Sequence, residues 1–228
     1  MRVLASDFDK TLYIQDFDFL EKNILAIKKF INEGNIFIII TGRSYFDIKI
    51  LLNKFSIPYS YLICEDGAKM YDSNDYCIST VMIDSTVVSK VISIVDNNLY
   101  NYLLDDGYNY TNNINDCIKI AIPYDNYSDA CLLLDEIKKN VSVEGYISDK
   151  HININSCGVN KCNALKKLMS IEKFNYNDIY VIGDDVNDFE MIKHFNGAIL
   201  SQHNSILDDL NKENYDYLYM YIEELCKK

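Results

Sequence analysis

The sequence predicts an α/β fold, a doubly wound and mostly parallel sheet with a second α+β domain inserted into it. Two observations carry this. Short apolar runs end in polar residues three times: Val3-Leu4-Ala5 before Asp7, Ile36-Phe37-Ile38-Ile39-Ile40 before Thr41-Gly42-Arg43, and Ile179-Tyr180-Val181-Ile182 before Gly183-Asp184-Asp185. Runs this short, rich in β-branched residues and closed by turn residues, suit parallel strands buried on both faces. Between about Tyr71 and Asn155 the pattern changes to alternation, and after Gly158 the strand–helix pattern resumes.

The elements follow in order. Leu20, Ile24, Ile27 and Ile31 fall on one face of a helix, and Gly34 supplies its stop. Strand, helix, strand in that order implies a right-handed βαβ unit. A second helix carrying Phe46, Leu51, Leu52 and Phe55 leads to a strand at Tyr61-Leu62-Ile63-Cys64. In the insertion, residues 81–97 and 127–140 read as helices, and residues 117–122 and 151–154 as half-buried antiparallel strands. Residues 215–225 read as a final helix packing its Tyr and Met side chains on the core. The expected boundaries are 1–72 with 155–228 for the core and 73–154 for the insertion, hinged near Tyr71-Asp72-Ser73 and Asn155-Ser156-Cys157.

Composition narrows the function. The 228 residues are 49% hydrophobic and 25% charged, as in globular chains, and 2 prolines with 8 glycines exclude collagen-like and linker-rich architectures. A net charge of −12 argues against nucleic acid or anionic membrane as a partner, since both demand clustered Lys and Arg. A phosphorylated ligand stays compatible if a metal ion supplies positive charge. The 7 cysteines form no CxxC pair or zinc-type spacing and read as reduced thiols. With no signal-peptide pattern at Met1-Arg2-Val3-Leu4-Ala5-Ser6-Asp7 and no apolar run of about 18 residues, a cytoplasmic protein is expected.

Ligands of open α/β sheets bind beyond the carboxyl ends of the strands. There this reading places Asp7 and Asp9, then Thr41, then Asp184 and Asp188. Aspartate also forms turns and helix caps. Acids at successive strand ends, however, crowd negative charge into one crevice, which is unfavourable unless a cation sits between them. Oxygen ligands with no His or Cys nearby favour Mg2+. His151, His194 and His203 are scattered and read as surface or capping residues, and the 19 tyrosines as core and interface filler.

The segment Asp7-Phe8-Asp9-Lys10-Thr11-Leu12 resembles the first motif (DxDxT) of the haloacid-dehalogenase-like phosphohydrolases. Thr41-Gly42-Arg43 resembles their second motif, Lys161 their third, and Gly183-Asp184-Asp185-Val186-Asn187-Asp188 their fourth. Asp66-Gly67-Ala68 is similar to the Asn-Gly-Ala that precedes the cap of the Cof-type branch, and the insertion lies where that branch carries a C2-type cap. Lys10, Asp66 and Cys162 depart from the commonest Gly, Asn and Gly, none at a position of the family's chemistry.

The resemblance implies a Mg2+-dependent phosphatase of a small phosphorylated metabolite, foremost a sugar phosphate, with Asp7 as nucleophile and Asp9 as general acid and base. It implies that Asp7, the Asp9 carbonyl, Asp184 and Asp188 hold the metal, and that Thr41, Gly42, Lys161 and Asn187 serve the phosphoryl group. Arg43 reads as an anchor of its loop. A phosphomutase on the same scaffold is the enzymatic alternative. A phosphoacceptor signalling domain is the alternative from another class, and oligomeric state is left open.

Overall fold

The protein's structure, a computed structural model, describes residues 1–148 and 150–227; Asp149 and Lys228, which fall inside the expected domain ranges, lie outside the described residues. The chain opens with β1 (Val3–Ser6), α1 (Phe17–Asn32), β2 (Ile36–Ile40), α2 (Tyr45–Phe55), β3 (Tyr61–Cys64), β4 (Lys69–Asp72) and β5 (Cys77–Thr80). It continues with α3 (Ser85–Asn97), β6 (Leu103–Asp105), β7 (Tyr110–Thr111), β8 (Lys119–Pro123), α4 (Tyr127–Asn140), β9 (Val143–Ile147) and β10 (His151–Ser156). It closes with α5 (Lys161–Glu172), β11 (Ile179–Gly183), α6 (Phe189–His194), β12 (Asn196–Leu200), β13 (Asn214–Tyr215) and α7 (Leu218–Leu225).

Two sheets result. The first has 8 strands in the order β13-β12-β11-β1-β2-β3-β4-β5, parallel from β13 to β3 and antiparallel across the last two pairings. Strand alternation divides its side chains between two helical layers. Leu4, Phe37, Ile39 and Leu62 pack with Leu20, Ile27, Ile48 and Ile222 of α1, α2 and α7. Val3, Ala5, Ile38 and Val181 pack with Leu165, Leu168, Met191 and Ile192 of α5 and α6. The α1 stripe ends where expected: Asp16 caps its start and Gly34, at φ +83°, leaves the helix.

The second sheet has 5 antiparallel strands in the order β7-β6-β8-β10-β9. Ile120, Ile122, Ile152 and Ile154 on one of its faces form a separate core with Val88, Val91, Leu133 and Ile137 of α3 and α4. Alternation sends Lys119, Asn153 and Asn155 to the opposite face, where they too are buried. That polar face lies over the loops that follow β2 and β3, as contacts of Lys119 with Gly42 and of Lys119 and Tyr146 with Asp66 establish.

The expected boundaries do not coincide with the sheets. β4 and β5 form a hairpin that extends the first sheet, so its strands run to Thr80 and the expected hinge at Tyr71-Asp72-Ser73 sits inside that hairpin. At the other end Asn155 and Ser156 belong to β10 of the second sheet. The crossings fall at residues 81–84 and 157–160, where Val81 packs on a small cluster of Ala68, Ile118 and Val159. Residues 81–84 are also extended rather than helical: Val81 donates to the Ala68 carbonyl, Ile83 to the Cys117 carbonyl, and Asp84 caps α3. Among the described residues no helix is long and apolar enough to cross a membrane.

Candidate active site

Three strand ends and one helix start deliver the polar groups. At the end of β1 the Asp7 amide donates to the Ile182 carbonyl, 3.0 Å away, tying the first loop to β11. The following turn folds back through Tyr13 N–H to Phe8 C=O, with Lys10 at φ +62°, the left-handed conformation that glycine adopts most readily. This turn aims the Thr11 hydroxyl at Asp184, whose Oδ1 accepts at 2.6 Å. At the end of β2, Thr41 is buried and its Oγ1 accepts from the Arg43 amide. Asn160 caps α5, so Lys161 starts the helix and its ammonium reaches inward to Asp7 Oδ1 at 2.6 Å and Asp188 Oδ1 at 2.7 Å.

Asp188 is the most fully engaged of these acids. Its Oδ2 accepts from the amides of Asp184 and Asp185 while Oδ1 takes Lys161. Gly183 makes this possible, because a Cβ there would run into the Asp188 carboxylate. Asp7, Asp184 and Asp188 bring carboxylate oxygens within 4.8 Å of one another. Burial holds the Asp7 carboxyl well above its usual range despite Lys161, with Asp188 and Asp184 adding to the effect. Burial and the Asp188 charge push Asp184 up to about 6, against the Thr11 hydrogen bond. On Lys161, burial works to lower the pKa, but Asp188, Asp7 and Asp66 hold it well above the ordinary lysine value.

The donor set fits the implied metal. Three carboxylates against one ammonium leave two negative charges, which a divalent cation neutralises, and all three donors are hard oxygens suited to Mg2+. Asp188 has both oxygens occupied by protein donors, so it supports the loop of Asp184 and the Lys161 ammonium, while Asp7 and Asp184 carry the donors suited to the ion.

Other expected site residues fall in less expected places. Asp9 stands in the same loop as Asp7, but its carboxylate is half-exposed and gripped in a two-pronged pair by Arg43, from Nε at 2.7 Å and a terminal nitrogen at 2.6 Å. Arg43 is thus more than a loop anchor: it orients the expected general acid. Asn187 donates its amide to Asp66 Oδ1 at 2.9 Å. His151, expected at the surface, is half-buried and lines the cleft; His203 contacts Asp208 and the Leu200 carbonyl.

Sequence reasoning missed three members of this region. Asp66, set aside as chemically silent, accepts from Tyr146 at 2.9 Å and Lys119 at 3.2 Å. Lys119 also donates to the Gly42 carbonyl at 2.8 Å. A charged residue alternating with Ile118 and Ile120 carries a signal, since the face opposite a core is either solvated or covered. Between the two sheets lies a cavity of about 590 Å³, walled by Asp7, Asp9, Thr41, Arg43 and Asp184 below and by Lys119, Tyr146, Ser148, Lys150, His151 and Asn153 above.

Comparison with known proteins agrees with this geometry. The profile of the haloacid dehalogenase-like hydrolases matches residues 4–140 and 108–200. The chain is 25% identical over 226 residues to 5-amino-6-(5-phospho-D-ribitylamino)uracil phosphatase YcsE of Bacillus subtilis, covering 96% of this chain and 89% of that protein. A putative phosphatase of Buchnera aphidicola is 26% identical over 220 residues, covering 83% and 82%. Among solved structures, a haloacid dehalogenase-like hydrolase from B. subtilis superposes with a TM-score of 0.86 at 14% identity, over 99% of this chain and 100% of that one. A HAD/COF-like hydrolase from Plasmodium vivax gives 0.85 at 18%, over 100% and 96%. The chain belongs to the haloacid dehalogenase-like hydrolases.

Proposed function

We propose that this chain hydrolyses the phosphate ester of a small polyhydroxylated metabolite, a sugar or sugar-alcohol phosphate, through a phosphorylated Asp7 and with Mg2+ as cofactor. The observation that carries the reading is Asp7 itself: buried at the end of β1, 2.6 Å from Lys161 and beside Asp184, on the floor of a cleft roofed by a polar sheet face.

In the first step an Asp7 oxygen attacks phosphorus, a P–O bond to Asp7 forms, and the bond to the leaving alcohol breaks. Asp9 protonates that alcohol oxygen, which requires its carboxyl to exchange Arg43 for the substrate. In the second step Asp9 takes a proton from water, the water oxygen bonds phosphorus, and the Asp7–phosphorus bond breaks to release phosphate. Lys161, Thr41 and the Gly42 amide hold the phosphoryl oxygens and oppose their growing charge. Asp7, the Asp9 carbonyl and Asp184 would hold Mg2+, with Asp188 behind them, and the ion would neutralise charge on the transferring group.

The roof supplies hydroxyl, amide and imidazole groups from Tyr146, Ser148, Asn153 and His151, suited to a leaving group rich in hydroxyls. The curated relatives named phosphatases favour hydrolysis over a mutase, and the B. subtilis relative acts on a phosphoribityl compound, the first candidate substrate. The family match and the roofing sheet leave the signalling-domain alternative without support. Unpaired thiols support a cytoplasmic location. The test is release of inorganic phosphate from a panel of sugar, polyol and phosphoribityl phosphates with Mg2+ or with chelator. A preference for polyol phosphates that vanishes in chelator is expected; full activity in chelator, or no hydrolysis of any ester, would overturn the reading.

A further inference from the structure

We propose that Asp66 is a positioning residue, one carboxylate that pins the roof sheet onto the phosphate-binding loops and holds both in register; the proposal rests on the hydrolase reading above. Its oxygens face different bodies. Oδ2 accepts from Tyr146 of β9 at 2.9 Å and from Lys119 of β8 at 3.2 Å, both on the roof, while Oδ1 accepts from Asn187 of the fourth-motif loop at 2.9 Å. Lys119 extends the connection to the Gly42 carbonyl, 2.8 Å away in the second-motif loop. The turn bearing Asp66 is tied to the same loop by its backbone, Asp66 N–H to Thr41 C=O and Glu65 N–H to Arg43 C=O, each 3.0 Å. A single side chain therefore touches the roof twice and the phosphate machinery once, without lining the cleft itself.

Three further features indicate that this junction is built for a purpose. Asp66 and Lys119 are only 2% and 7% exposed, so the pair lies out of water, where an unpaired charge is costly. Glu65 and Asp66 both sit at positive φ, +51° and +56°, a conformation that non-glycine residues hold only when the surroundings demand it. Burial works to raise the Asp66 pKa, but Lys119, Lys161, Asn187 and Tyr146 together bring it below the usual carboxylate value, so it is ionised and available to all its donors. Asparagine, with one acceptor oxygen, cannot receive Asn187 on one side and Lys119 with Tyr146 on the other.

The experiment is a double-mutant cycle on Asp66→Asn and Lys119→Met, read in two ways. The first is kcat and KM for a polyol phosphate and for p-nitrophenyl phosphate, whose phenolate needs little from the roof. Each single variant is expected to lose at least about tenfold in kcat/KM on the polyol phosphate and clearly less on the aryl ester. The double variant should lose no more than the worse single one, because the two changes break one junction. The second readout needs no substrate: amide hydrogen exchange at residues 81–84 and 157–160 should quicken in both variants if the roof is released. Losses that multiply, equal losses on both esters, or unaltered exchange in folded variants would each overturn the proposal. If the wild-type protein hydrolyses no ester, the hydrolase reading fails, while the exchange measurement still decides whether Asp66 pins the roof.

Discussion

Two buried lysines stand about one cleft, each between two carboxylates, and they do opposite things. Lys161 meets Asp7 and Asp188 within the first sheet's own loops, and a third acid, Asp184, leaves that cluster with excess negative charge. Lys119 meets Glu65 and Asp66 across the junction of the two sheets. In the first cluster the Asp7 pKa is held well above its usual range by burial; in the second, Asp66 falls below it and Glu65 takes up the imbalance, pushed by burial to about 7. The first cluster carries an excess of negative charge that a divalent cation would neutralise, whereas the second closes its own charge balance by leaving Glu65 partly protonated. Similar residues thus make the proposed reaction centre in one place and the proposed fastening in the other.

The comparison breaks most visibly in turnover. Asp7→Asn and Lys161→Met should each lower kcat by about 10⁴-fold or more, because an acid-and-lysine unit that acts together fails when either part is removed. Lys119→Met should retain measurable turnover of p-nitrophenyl phosphate. Steady-state rates on that ester decide it, and a dead Lys119→Met that is folded would erase the distinction. Next in size is Asp9→Asn. A loss of about 10²–10⁴-fold is expected on alkyl phosphates, with a smaller one on aryl esters whose leaving group needs little protonation. Equal losses would mean that Asp9 serves only to receive Arg43.

Metal binding sharpens the contrast in charge. Mg2+ at about 100 times its Kd should stabilise the fold by about 2.7 kcal/mol, or about 5–10 °C in Tm for a chain of this size. Asp184→Asn should abolish that rise and Glu65→Gln should leave it intact, both read by thermal unfolding with and without chelator. The smallest effect concerns pH. Because the Glu65 pKa rises from 4.5 to about 7 on folding, the folded state favours its neutral form; its contribution is full below 4.5 and is lost as pH rises to 7. The slope reaches about 1.4 kcal/mol per pH unit between those values. With Mg2+ saturating, Glu65→Gln should flatten the fall in denaturant midpoint over that window. An unchanged slope would show that Glu65 does not titrate there.

The floor of the cleft was largely legible because its residues follow their own apolar runs. Asp7, Thr41 and Asp184 each end a buried strand of the first sheet, and local pattern suffices to place them. Lys161 and Asn187 came from motif resemblance, and the contacts they make, to Asp7 and to Asp66, are long-range. The fastening was only half legible for a physical reason: alternation with isoleucines sets Lys119 opposite a core but does not say whether that face is solvated or covered, and only its partners on the other sheet explain its burial. The boundary was misplaced likewise, since whether residues 77–80 join the first sheet depends on antiparallel pairing with β4, which alternation alone does not reveal. Tyr215, expected in the last helix, pairs instead with Leu200 as the short edge strand β13.

The two crossings at residues 81–84 and 157–160 lie side by side, Val81 packed on the cluster that contains Val159. A body fastened at two neighbouring points keeps one easy coordinate, a swing about the line through them, and loses the freedom to spin or slide. Were the roof to lift from the floor, few arrangements would be open to it, so reseating it would cost little conformational entropy. The seated state consequently needs only a compact set of contacts to hold it, and the ions and hydrogen bonds around one aspartate are a set of that scale.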